Sequence, residues 1–171
     1  HGSDGRMNVS SRSDSRAYYN SRDIKQTYSL AFYDADAAQE DYVAYWKNTS
    51  TTDELVISSV GFNLTVSGSV ALDFVTGTAS GGSSITPTNL NSDSDNDASA
   101  TALANSAISG LSSAALVDHA TTSAFGHEEL RLGDRVRLGQ NDAIGIRVTA
   151  TDGNANTAVR GVIFGFYEKK Q

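Results

Sequence analysis

The chain holds three histidines, His1, His119 and His127, and few residues placed to do acid–base or metal chemistry in company. Asp118-His119 and Gly126-His127-Glu128-Glu129 set an imidazole beside carboxylates, the raw material of a base and an acid. No nucleophile motif of the G-x-S-x-G type accompanies them, and neither group has the ligand spacing of a zinc site. His119 and His127 are therefore read as surface residues of polar loops. The run Ser92-Asp93-Ser94-Asp95-Asn96-Asp97 puts Asp93, Asp95 and Asp97 at alternate positions, as at the start of a calcium loop. An EF-hand would continue with Gly at 98 and Glu at 104, where this chain has Ala98 and Ala104. The three aspartates stay a weak candidate cation site. No catalytic residue and no cofactor is assigned, so the chain is read as a protein without enzymatic activity.

Composition points the same way. The 171 residues fit one core, and the absence of cysteine excludes disulfides and thiolate sites. No apolar run approaches the ~20 residues of a membrane helix, so a soluble chain with no membrane partner is expected. The net charge of −7 argues against a nucleic-acid partner. That charge is segregated. Residues 1–25 carry five basic and three acidic side chains, and residues 26–130 carry Lys47 alone against thirteen acids. Residues 131–171 return to seven bases against four acids. His1-Gly2-Ser3 is read as a tag or processing remnant. The rest of the leader is too polar to fold alone, with Ala17-Tyr18-Tyr19 its one apolar anchor. It is read as an extended or disordered basic arm, 1–25, ahead of a β domain, 26–171. Arg6, Arg12, Arg16, Arg22, Tyr18 and Tyr19 are its candidate contacts with a partner.

The elements that follow read as strands. Thr27 to Tyr33 and Asp41 to Lys47 are aromatic and β-branched, and Leu55 to Val66 is expected to put Val56, Val60, Phe62, Leu64 and Val66 on one face. In Ser69 to Val75, Val70, Leu72 and Phe74 oppose Asp73. In Asp142 to Ala150, Ile144, Ile146, Val148 and Ala150 oppose Arg147 and Thr149. Asp152-Gly153-Asn154 reads as a hairpin turn leading into Thr157 to Tyr167, which is apolar on both faces and so calls for a central position and a partner. Thr76 to Asp97 reads as a long loop or two short strands. Ala98 to Leu116 is Ala-rich, yet its serines and Gly110 favour short strands over a helix. Ala124 to Leu132 and Arg135 to Leu138 supply the rest. About eight strands at regular spacing predict an all-β, antiparallel two-sheet sandwich of jelly-roll type.

Several short motifs carry a resemblance. Trp46-Lys47-Asn48-Thr49-Ser50, Leu55-Val56-Ile57 and Asp73-Phe74-Val75-Thr76-Gly77-Thr78 are followed by Gly82-Ser83-Ser84-Ile85-Thr86-Pro87-Thr88-Asn89-Leu90-Asn91. Asp142-Ala143-Ile144-Gly145-Ile146-Arg147-Val148 and Val162-Ile163-Phe164-Gly165-Phe166-Tyr167-Glu168 complete the series. In this order, across about residues 42–168, they resemble accessory virion proteins of tailed bacteriophages: capsid decoration or cement proteins and related head-fibre modules. The resemblance implies a jelly-roll homotrimer on the outer capsid surface, bound to the major capsid protein and stabilising the shell. The second reading is a receptor- or glycan-binding module of a head or tail fibre, with Tyr33, Tyr42, Tyr45 or Trp46 stacking on sugar. Those aromatics lie on expected strands, which favours packing for them instead.

Overall fold

The computed structural model describes residues 25–150 and 156–170. Among the described residues nine strands run in chain order: β1 (Thr27–Ala37), β2 (Asp41–Asn48), β3 (Asp53–Leu64), β4 (Gly68–Ser84), the two-residue β5 (Thr88–Asn89), β6 (Ala100–Thr122), β7 (His127–Leu138), β8 (Ala143–Ala150) and β9 (Thr157–Lys169). The first sheet has the order β5-β1-β9-β3-β7. The second runs β2-β8-β4-β6, and β6 then pairs with β2 to close it. Every pairing is antiparallel. Apart from β4 to β6, each step between the eight long strands crosses from one sheet to the other, the winding of a jelly roll.

The core lies between the sheets and follows from side-chain alternation. Leu30, Phe32, Ile163, Val159 and Phe62 of the first sheet meet Trp46, Val70, Leu72, Ile144, Ile146 and Val148 of the second. In β8 the apolar set faces inward as its period of two requires, while Arg147 and Thr149 face outward. In β3 the expectation for Val56 fails. The register against β7 and β9 slips between Ile57 and Ser59, so one inserted residue reverses the alternation. Leu55 and Ile57 therefore join Val60, Phe62 and Leu64 in the core, and Val56 faces the other way.

The middle of the chain departs furthest from expectation. β4 continues to Ser84 through Gly77-Thr78-Ala79-Ser80-Gly81-Gly82, and β6 is a single strand of 23 residues rather than several short ones. Together they form a long ribbon, with register breaks after Leu72, Phe74, Gly77 and Gly81. Gly77 and Gly110 face each other in it with φ of +106° and +77°, and a Cβ on either would overlap a carbonyl oxygen of the opposite strand. Only glycine fits this bend. Beyond it the residues from Ala100 to Ile108 turn onto β2 and close the second sheet. β7 is likewise one strand, carrying an irregular segment near Gly133 and Asp134, both at positive φ. The Asp152-Gly153-Asn154 turn lies outside the described residues.

Candidate functional site

Two of the motif residues quoted above, Asn48 and Asn89, are polar stitches of the fold. Asn48 is fully buried, and its amide donates to the carbonyls of Asp53 and Leu138 at 2.9 and 2.8 Å while its oxygen accepts from Ser50 N. One side chain thereby ties the β2–β3 turn to β7. Asn89 does the same at the opposite edge, donating to the carbonyls of Lys25 and Asn96. These amides satisfy buried or turning backbone that no strand neighbour reaches.

The segment 92–97 hangs from that second stitch. Asp93, Asp95 and Asp97 are exposed, and among the described residues no group of three or more His, Asp or Glu side chains is placed to hold a metal ion. The loop's backbone is anchored instead by Tyr28 Oη, which donates to Asn96 O, and by Lys25 Nζ, which donates to Asp93 O. His119 sits on β6 of the second sheet and His127 on β7 of the first, both exposed, so the two imidazole–carboxylate groups stay apart. Arg6, Arg12, Arg16, Arg22, Tyr18 and Tyr19 lie outside the described residues. Of the aromatics weighed for sugar stacking, Trp46, Tyr42 and Tyr45 are buried. Tyr33 is 41% exposed, with the Arg160 guanidinium 5.1 Å above its ring.

A buried polar cluster was not legible as such. Asp73, expected on the strand's other side, is there but wholly inaccessible. Its Oδ2 accepts from Tyr42 Oη at 3.0 Å and from Arg147 Nε at 2.8 Å. Arg147 also reaches Glu40, whose second oxygen accepts from Thr149 Oγ1 at 2.7 Å. The Thr149 hydroxyl and the Arg147 guanidinium together hold the Glu40 carboxyl below its usual range. Asp73 in turn makes the Arg147 guanidinium harder to deprotonate. Beside this cluster, on the face of the second sheet away from the main core, Tyr42, Tyr45, Val75, Ile108 and Ala143 form a smaller apolar cluster. The ribbon's return onto β2 brings Ile108 there, which is why no local pattern announces it.

Two clefts meet at the half-buried Phe74. One of about 520 Å³ is lined by Tyr45, Lys47, Val75, Arg137 and Asp142 among others. The other, of about 430 Å³, lies between β6 and β7 and is lined by Val117, Asp118, Arg131, Leu132, Arg135 and Val136. The register breaks of β6 supply the residues Ala114 and Val117 to these walls. Arg137 is held by Glu54 and Glu168 at 2.9 and 2.8 Å, which neutralises it locally. Such walls offer mixed polar and apolar contact to a partner, without a convergent set of ionisable groups.

Burial pushes the phenols of Tyr28, Tyr42, Tyr45 and Tyr167 above their ordinary value of 10.0. The unfolded chain releases these protons near pH 10 and the folded chain retains them. Titration of these phenols therefore leaves stability unchanged below pH 10 and lowers it as pH rises above that value. An alkaline titration followed by tyrosinate absorbance and circular dichroism is expected to show these four ionising together with loss of the sheet signal. Ionisation of all tyrosines near pH 10 with the sheets intact would contradict this.

Compared with known proteins, no family model matches the sequence and no curated protein matches it.

Proposed function

We propose that this chain is a structural virion protein of a tailed bacteriophage, a decoration or cement protein that binds the major capsid protein on the outer head surface and stabilises the shell as a homotrimer. The observation that carries the reading is the coincidence of motif and architecture. Among the residues that give the resemblance, Asn48 and Asn89 are hydrogen-bonding stitches of the jelly-roll sandwich. A ligand specific for the assembled shell stabilises it by mass action and needs no turnover. The basic leader supplies the grip, with Arg12, Arg16 and Arg22 facing acidic capsid surface. The second reading, a glycan- or receptor-binding module, rests on Tyr33, the one candidate stacking aromatic that is both exposed and backed by a guanidinium.

The triple variant Arg12→Glu, Arg16→Glu, Arg22→Glu tests the first reading against undecorated heads of the cognate phage. Each reversed contact is worth about 1 kcal/mol, so binding is expected to weaken roughly a hundredfold with the sandwich still folded. Full decoration by the variant would overturn the docking role. Saturable binding to a glycan array that Tyr33→Ala abolishes would transfer the assignment to the second reading.

A further inference from the structure

The outer face of the first sheet contains an anomaly. Strand alternation turns Phe166 and Val56 away from the core; the two are register partners, and neither belongs to either apolar cluster. Both are nevertheless 0% exposed. Neighbours on one sheet face shield the flanks of a phenyl ring and leave its tip, which stands ~6 Å off the backbone, for something lying above. Arg137 accounts for Val56, because its guanidinium crosses β3 to reach Glu168 on β9. No described strand packs over Phe166, and Phe164 and Val162 continue the apolar line along β9, each partly covered.

We propose that this face is the seat of the chain's own Ala17-Tyr18-Tyr19, folded back from Lys25. The place where the described chain begins favours it. Lys25 is clasped by Asn89 and Ser94, Gln26 O accepts from Tyr167 N, and Thr27 is the register partner of Phe166. The preceding residues thus enter at the row whose burial no described strand accounts for. Tyr19 precedes Lys25 by six residues, an extended reach of ~20 Å. Two strand spacings, from β1 to Val56 on β3, take only ~10 Å. The tyrosine pair is the leader's one apolar stretch of any size, and a phenol can bury its ring while leaving its hydroxyl wet at the rim. Seated there, the pair would fix the root of the arm and leave Arg6, Arg12 and Arg16 free to reach a partner.

The absence of native cysteine makes a direct test clean. The pair Tyr19→Cys with Phe164→Cys is oxidised in the full chain, and Tyr19→Cys with Ser112→Cys on the second sheet serves as control. Most molecules of the first pair are expected to close a disulfide within one chain, and few of the control. Links found only between chains would assign the seat to a second copy, and equal yields in both pairs would overturn the proposal. In parallel, Tyr18→Ser with Tyr19→Ser should raise binding of a hydrophobic dye while the sheet spectrum persists, and unchanged dye binding counts against it. Neither readout uses capsids, so the outcome is independent of the proposed function.

Discussion

Asp73→Ala is expected to destabilise the fold by about 3 kcal/mol, measured by urea unfolding with an unchanged dependence on denaturant. The carboxylate is inaccessible and accepts from both Tyr42 and Arg147. Its removal leaves a phenol and a guanidinium facing an uncharged gap. Losing one member of a buried pair costs about 3–5 kcal/mol. The lower end applies because the Arg147 side chain keeps 24% of its surface in water and retains Glu40. Replacing both charges, Asp73→Ala with Arg147→Met, should recover part of the loss, since no unpaired charge is then buried. A double variant no better than Asp73→Ala would show that the pair's geometry, rather than its charge, matters.

Trp46→Ala is expected to cost about 3–5 kcal/mol, the largest effect of any single truncation in the core. Trp46 heads the fully buried side chains by volume and stands where the two sheets meet. Its alanine variant opens a void walled by strands fixed in two ladders, which cannot collapse to fill it. Trp46→Phe is the informative comparison. The indole Nε1 makes no well-aligned hydrogen bond, its polar neighbour being the Tyr167 hydroxyl, so phenylalanine removes a poorly satisfied donor along with some volume. Its loss should be less than half that of alanine, read from the shift in thermal midpoint. Equal losses for both variants would mean that the indole N–H is stabilised in a way its geometry does not reveal.

The parts of this fold legible in the sequence are those where one strand solves its burial alone. β8 declares its inner face by Ile144, Ile146 and Val148, and β9 declares a central place by apolar residues on both sides. The face of Val56 is not legible, because a register slip two residues later reverses the alternation and nothing in the residue types near Ser58 marks it. Thr76 to Ser84 of β4 and the stretch Ala98 to Leu116 read as loop and short strands for a related reason. Their Ser, Gly and Ala residues bury little and show no period, and their extended form comes from pairing with another strand, which no local pattern announces. For the site, alternation puts Asp73 on the correct side of its strand, but its burial depends on what other strands bring over it. The leader's candidates lie beyond the described residues, and only the Phe166 row bears on where they go.

The pairing of β1 with β9 has a kinetic consequence. Thr27 faces Phe166, so the strand that opens the sandwich waits for the one that ends it before the middle of the first sheet can exist. During synthesis β1 has only the two-residue β5 to pair with until β9 is made, and β3, which can meet β7 earlier, lacks its other neighbour until then. Folding therefore completes only after the last strand is released, on the slow millisecond-to-second scale of non-local sheets. Over that interval the apolar row of β1 is open to other chains. The acidic stretch that follows it, which carries almost no positive charge, keeps unfinished copies apart by repulsion.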